Sequence, residues 1–357
     1  MEDKLLEVFQ HYFSGIEKIK FTRITGGHIH DTFHIENGGG HIIQRINTRV
    51  FMDIDGMMHN MMLLSKFLTG HRDIYPMKVP VLHQTLAGEP YYKDVSGDCW
   101  RLMTFIPGSF VYSKAIDGAH AEEAGKILGI FTSAVTGLDP SQFNIVIRDF
   151  HNINSRWDQY VKSTETALPE RLKETRTELR VAEEFHQPMQ DYYTALSSGN
   201  IPVRVTHNDT KFNNFLFDHD NKALSIIDLD TVMPGYSLND YGDAIRTVVN
   251  SAAEDERDSC NVHFNLRFFQ AFTKGYIHDA AGLFSPDEWR LMPQAPMYLT
   301  YLQGLRFLTD HFNGDIYYPV HYFGHNLVRA SVQFNLLRQM HDKMQFMTET
   351  IQTYKNQ

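Results

Sequence analysis

The sequence predicts an α+β protein in two lobes, a small strand-rich one followed by a larger, mostly helical one. Two observations carry that expectation. The first hundred residues fall into short strand-like runs broken by turns, whereas beyond residue 107 the long segments place apolar residues at three- and four-residue intervals. Strands first and helices later fit an α+β layout. A chain of 357 residues, 42% hydrophobic and 13% aromatic, is also long for a single core. We place the lobe boundary at Ile106-Pro107-Gly108, giving lobes over residues 1–106 and 107–357.

The opening MEDKLLEVFQHYF reads as an amphipathic helix. Phe21–Ile24, a run from His28 to Glu36 and another from His41 to Ile46 read as a meander, with Asn37-Gly38-Gly39-Gly40 as a turn. Residues 55–69 have helical periodicity, and Met57, Met58, Met61 and Met62 there read as core filler. Strands are expected around Val79–Thr85 and Cys99–Phe105. Helices should then cover 118–136 and 154–198, the latter interrupted near Pro169 and Pro188. A strand from Ile201 to Val205 precedes a polar turn, and helices return at about 260–280, 286–312 and 325–355.

Thirty-three basic against 43 acidic residues give a net charge of −10, which argues against nucleic acid or an anionic membrane as partner. The only cysteines, Cys99 and Cys260, form no C-x-x-C pair, and no window reaches the length of a membrane span. A soluble, cytoplasmic protein is expected. Of the 19 histidines, His28, His30, His34 and His41 cluster early. No cysteine or carboxylate completes a ligand set beside them, which favours polar and packing roles over a metal site.

Residues 204–246 are the most informative. His207, Asp209 and Asn214 stand in the spacing His-x-Asp-x-x-x-x-Asn, followed by the apolar run Ser225-Ile226-Ile227 ending in Asp228. Phosphoryl transfer from ATP needs a carboxylate to orient and deprotonate a hydroxyl, and oxygen ligands for Mg²⁺. Asp209 fits the base, which also touches the acceptor, and Asn214 and Asp228 fit the metal ligands. An aspartate in a polar turn is ordinarily an Asx-turn or cap residue; three such roles at this spacing outweigh that account. His207 is expected to brace the loop. Lys211 reads either as a cation for the γ-phosphate or as a solvent-facing lysine. Asp230 either supports the metal site or caps the turn through Met233-Pro234-Gly235. Asp240 opens a helix and is expected to accept backbone N–H bonds at its start.

On the nucleotide side, Gly26, Gly27 and His28 form a candidate phosphate cover, although a plain hairpin turn has the same sequence. A strand lysine is the usual partner of the phosphates, yet the comparable position is Gln44. Either Gln44 makes a neutral contact with ATP or another cation serves, since alternation turns Arg45 to the opposite face. Thr104 and Ile106, beside the boundary, complete the candidate ATP contacts. Late in the chain, Arg306 and Asp310 lie one helical turn apart. They read either as an ion pair within a helix or, with Tyr317, as the wall of a sugar pocket. His325, Asn326 and Arg329 either join that wall or cap the next helix.

RVTHNDTKFNN, IIDLDTVMPG and the helix start at 239–246 resemble the aminoglycoside phosphotransferase and choline kinase superfamily. GGHIHDTF, HIIQRINTRVF, GLRFLTD, GDIYY and HNLVR are similar to its bacterial N-acetylhexosamine 1-kinase branch, in matching order over about residues 20–340. The resemblance implies a protein-kinase-like fold whose N-terminal lobe binds the nucleotide. It also implies ATP- and Mg²⁺-dependent phosphorylation of the anomeric hydroxyl of N-acetylglucosamine or N-acetylgalactosamine. Asp209 carries over as base and Asn214 and Asp228 as metal ligands, while Gln44 suits that branch. Two alternatives stand beside it: another small acceptor such as choline, homoserine, an aminoglycoside or a different sugar, and a catalytically silent nucleotide-binding module.

Overall fold

A computed structural model describes residues 1–24 and 29–356. The N-terminal part contains α1 (Glu2–Gln10), β1 (Phe21–Ile24), β2 (Asp31–Ile35), β3 (His41–Arg45), α2 (Ile54–Gly70), β4 (Leu82–His83), β5 (Tyr92–Lys93) and β6 (Cys99–Thr104). The antiparallel sheet runs β1-β2-β3-β6-β4, with β5 also on β6. Its register sets Gln44 opposite Thr32 on one side and Arg101 on the other. The glycine turn between β2 and β3 holds Gly38, Gly39 and Gly40 at φ of 62°, 94° and 92°, conformations that side chains resist. The strand expected over 79–85 shortens to two residues.

The two faces of this sheet meet different partners. Leu5, Val8 and Phe9 of α1 pack with Phe33, Ile35, Ile43, Trp100 and Leu102 as one small core. On the other side lies α2, whose first turn is capped by Asp53 accepting from Gly56 N at 2.9 Å. Its Met57, Met58, Met61 and Leu64 are buried with the residues that fill the C-terminal part. Packing therefore runs across residue 106.

The C-terminal part begins with β7 (Phe110–Val111), α3 (Gly118–Ala134), α4 (Ile153–Thr166), α5 (Pro169–Leu172) and α6 (Arg176–Leu196). Next come β8 (Arg204–Thr206), β9 (Phe215–Phe217), β10 (Ala223–Ile226) and β11 (Met233–Gly235). It ends with α7 (Ser237–Val248), α8 (Leu266–Ala280), α9 (Pro286–Leu291), α10 (Ala295–Phe312), α11 (His325–Asp342) and α12 (Met344–Lys355). Pro169 starts a helix, as expected of a residue with no N–H to place. Pro188 does not interrupt one: α6 runs through it, because Val181, Phe185, Met189 and Tyr192 bury a continuous stripe. The predicted 286–312 helix divides at Met292-Pro293, and 325–355 divides at Lys343. α3 and α8 approach so closely that a Cβ on Gly125 would lie 2.0 Å from the Phe272 carbonyl oxygen. No helix among the described residues is long and apolar enough to cross a membrane.

Candidate active site

Two small ladders carry the central loop. β8 pairs with β11, and β9 pairs with β10, so the chain leaves β8 at Thr206, makes the turn 207–214 and returns as a hairpin ending at Ile226. Ile227 N donates to Asn214 O at 2.9 Å, which brings Asp228 alongside Asn214. His207 braces the turn: its Nδ1 accepts from Asp209 N at 3.3 Å and its Nε2 donates to Ile227 O at 2.9 Å. Both ring nitrogens are thereby engaged. Asn208 takes a left-handed conformation, φ 66°, and its amide donates to Thr231 O at 3.0 Å.

Asp240 does not take the part expected of it. Instead of accepting from its own helix, it accepts His207 N at 2.8 Å and Asn208 N at 2.7 Å. The first turn of α7 thus clamps the loop backbone at the two residues before Asp209. Burial pushes the Asp240 carboxyl up to about 6 against the pull of those bonds and of His207.

Asp209, Lys211, Asn214 and Asp228 converge. Lys211 Nζ lies 2.7 Å from Asp209 Oδ2 and 3.9 Å from Asp228 Oδ2, and all three side chains keep some exposure. Burial pushes the Asp209 carboxyl up, but the charge and hydrogen bond of Lys211, with His207 and Arg246, together outweigh it and the net shift is downward. Asp228 goes the other way, because burial exceeds what Lys211 offsets and Asp230 adds repulsion. Asn214 Nδ2 donates to Asp209 O at 2.8 Å and Oδ2 at 3.1 Å. Two acceptors on one side fix the amide's orientation and leave Asn214 Oδ1 facing away, with no hydrogen bond among the described residues. That oxygen and the Asp228 carboxylate would offer Mg²⁺ the oxygen ligands it takes, with phosphate and water to complete them. No cluster of three His, Cys, Asp or Glu suited to a metal occurs among the described residues, so protein side chains alone would not enclose the ion.

On the small-lobe side, the cation is Arg101. Gln44 Oε1 accepts from Arg101 Nε at 2.9 Å and Nη2 at 2.7 Å, while Gln44 Nε2 donates to Thr32 Oγ1 at 3.0 Å. The same Nη2 stands 2.7 Å from Asp230 Oδ1, and His30 Nε2 donates to Asp230 Oδ2 at 2.6 Å. Asn47 N donates to His30 Nδ1 at 3.0 Å. Burial raises the Asp230 carboxyl, yet Arg101 and His30 together hold it well below the usual range. Asp230 is thus a buried ion-pair partner of the small lobe, and the Met233-Pro234-Gly235 turn does not use it. Sequence reasoning missed Arg101. The available signal was a lone arginine in a strand buried on both faces, which demands a counter-charge.

The remaining positions are mixed. Gly26, Gly27 and His28 lie outside the described residues. Thr104 Oγ1 accepts from Val81 N at 3.0 Å, and Ile106 is buried where the chain passes between lobes. Arg306 and Asp310 form no ion pair. Asp310 is buried and accepts Ile316 N, Tyr317 N, Tyr318 N and Asn326 Nδ2 between 2.9 and 3.0 Å, so both oxygens are filled in shaping the 315–318 turn. It does not offer itself to a sugar. Asn326 and Arg329 serve that turn too, through Asp315 and Pro319 O, and His325 bonds Asp255. Arg306 instead lies over Phe150, Tyr317 and Tyr318 at 5.1 to 6.0 Å from their centroids. Arg156, unremarked in the sequence, backs onto Phe150 O at 3.0 Å, and burial beside Arg306 lowers it to about 10. His151 joins this patch to the loop through Asn208 O at 3.2 Å.

Residues 20–283 match the phosphotransferase enzyme family. Among solved structures, the chain is similar to a microcompartment-associated aminopropanol kinase, with a TM-score of 0.66 and 13% identity over 97% of this chain and 98% of that one. It is similar to choline kinase from Cryptosporidium parvum, with a TM-score of 0.59 and 12% identity over 99% of both. An aminoglycoside phosphotransferase solved with ADP bound gives a TM-score of 0.55 at 14% identity, over 97% of this chain and 98% of that one. At such identities the structures show the shared fold.

Proposed function

The chain belongs to the phosphotransferase enzyme family and is a small-molecule kinase, and from that premise we propose that it phosphorylates the anomeric hydroxyl of N-acetylhexosamines with ATP and Mg²⁺. Residues 1–106 would take the nucleotide and residues 107–357 the acceptor. The observation that carries the reading is the convergence of Asp209, Lys211, Asn214 and Asp228 at the junction, with the Asn214 amide turned so that only its oxygen is free.

Asp209 orients the sugar C1 hydroxyl and accepts its proton as that oxygen bonds the γ-phosphorus and the bond to the ADP oxygen breaks. Lys211 lowers the proton affinity of Asp209, which keeps it ionised at neutral pH; orientation then matters more than base strength. Asn214 Oδ1 and Asp228 would hold Mg²⁺, which when bound neutralises phosphate charge. Arg306, with Tyr317, would meet the acceptor, stacking and donating to ring oxygens.

The charge of this patch supports a neutral sugar over the cationic alcohols named for some structural relatives. Neither Arg306 nor Arg156 has a carboxylate at ion-pair distance among the described residues, so a quaternary or primary ammonium would face two like charges. The test is an ATP-consumption assay over N-acetylglucosamine, N-acetylgalactosamine, glucose, galactose, choline and aminopropanol, with product position read by phosphorus NMR. A 1-phosphate of an N-acetylhexosamine is expected; preferential turnover of choline or aminopropanol would reassign the acceptor.

A further inference from the structure

We propose that Arg101 is a positioning residue that fixes Asp230, and through it the metal-facing Asp228, to the small-lobe sheet, in place of a lysine at position 44. The proposal rests on the kinase reading above. Arg101 is 1% exposed, too enclosed to touch a phosphate from where it stands. Its guanidinium touches three elements at once: Gln44 on β3 at 2.7 and 2.9 Å, the Met61 sulfur on α2 at 3.1 Å, and Asp230 at 2.7 Å. Those contacts join β3, the helix behind it and the segment bearing the metal ligand.

The identity of residue 44 follows from the same geometry. Gln44 is held at both ends, its oxygen by Arg101 and its nitrogen by Thr32, so a lysine there would set a second cation against Arg101. Moving the charge to β6 requires an acceptor on β3, and glutamine supplies one. Asp230 stands two residues beyond Asp228, whose left-handed backbone, φ 65°, brings the chain round. A further tie from α2 to this segment is Asn60, whose amide donates to Val232 O at 2.8 Å. With Arg101 removed, Asp230 retains only His30, and a buried carboxylate left half-compensated beside Asp228 relaxes away from its place. The consequence falls on nucleotide with its metal, not on the acceptor.

The experiment measures ADP affinity of the full chain, with Mg²⁺ and with EDTA, by calorimetry and by thermal shift, together with KM for each substrate. Arg101→Gln should weaken MgADP binding by about 10–100-fold and raise the KM for ATP, as loss of a group orienting a metal ligand does. Affinity for ADP in EDTA and the KM of the acceptor should change by less than about threefold. Combining Arg101→Gln with Asp230→Asn should cost no more than the worse single change, since Arg101 acts through Asp230. Wild-type MgADP affinity in Arg101→Gln, or losses that multiply in the double variant, would overturn the proposal. If Arg101→Gln does not fold, Asp230→Asn, of nearly the same volume, carries the MgADP test with the same two outcomes. A wild-type chain that binds no nucleotide would remove the kinase reading itself, and this inference with it.

Discussion

Two buried carboxylates stand beside the turn at 207–214, and they are held by opposite means. Asp240 has no cation at bonding distance among the described residues; two backbone N–H groups of the turn satisfy it, and burial pushes it up to about 6. Asp230 has Arg101 and His30, and sits well below the usual carboxylate range. The first arrangement fixes the backbone that leads into Asp209, the base we propose. The second ties the segment bearing Asp228, a proposed metal ligand, to Arg101 and His30 of the N-terminal part. The difference separates support by backbone N–H groups within the C-terminal part from an ionic connection between it and the N-terminal sheet.

The largest effect should come from Asp209, on the turn that Asp240 holds. Asp209→Asn keeps the shape of the turn and removes proton acceptance, so kcat should fall by about 10²–10⁴-fold while MgADP affinity stays near wild type. Retained turnover in that variant would show that supporting the turn has nothing to do with a base. Next in size is Gln44→Lys, which puts the usual kinase residue on β3 but here crowds Arg101. We expect KM for ATP to rise about tenfold or more, as for other changes around a metal ligand; improved activity would mean that the cation on β6 is dispensable.

How far these features were legible follows the same divide. Asp209, Asn214 and Asp228 stand within twenty residues of one another, and turn chemistry plus strand alternation sufficed to bring them together. The brace by His207 was likewise local. The sequence presents Asp240 as an N-terminal helix carboxylate, whereas its partners are backbone N–H groups of the turn thirty-odd residues earlier, a contact no local pattern announces. The Arg101–Asp230–His30 contacts span 129 and 200 positions, and no periodicity within one element announces a pairing between lobes. Asp310 failed for a related reason. Helical spacing put it beside Arg306, but three backbone N–H groups of a following turn competed for it and won. Gln44 was noticed as a departure; only the register, which sets it opposite Arg101, supplied its meaning.

Asp240→Ala tests the backbone-held carboxylate. It leaves the N–H groups of His207 and Asn208 buried without acceptors, at roughly 1–3 kcal/mol for each. Thermal or urea unfolding should register that loss, and kcat should fall with ATP affinity little changed. Destabilisation without any change in kcat would make Asp240 a support of the fold alone. Arg306→Ala probes a third region, where a cation is held by aromatic rings and no carboxylate. It should raise the KM of the acceptor about tenfold, the loss of one charged hydrogen-bond donor, and leave the KM of ATP alone.

A carboxylate far from the site combines both means of support and gives the smallest effect. Asp94, on the turn between β5 and β6, bonds Lys4 at 2.8 Å and Trp100 Nε1 at 3.0 Å, and also accepts Ser96 N and Asp98 N. Burial alone would raise its carboxyl, but these partners bring it down from the usual 3.8 to about 2. A folded-state value below the unfolded one means the native state binds the proton less readily. The stabilisation is therefore fully present above the ordinary carboxylate range and is lost as pH falls from about 4 towards 2. Asp94→Asn should flatten the acid limb of the Tm profile over that window and leave kinetics at neutral pH unchanged. An acid limb identical to wild type would mean that Lys4, which keeps some exposure, is too well screened for the pair to matter, and that backbone N–H groups alone hold this turn as they hold Asp240.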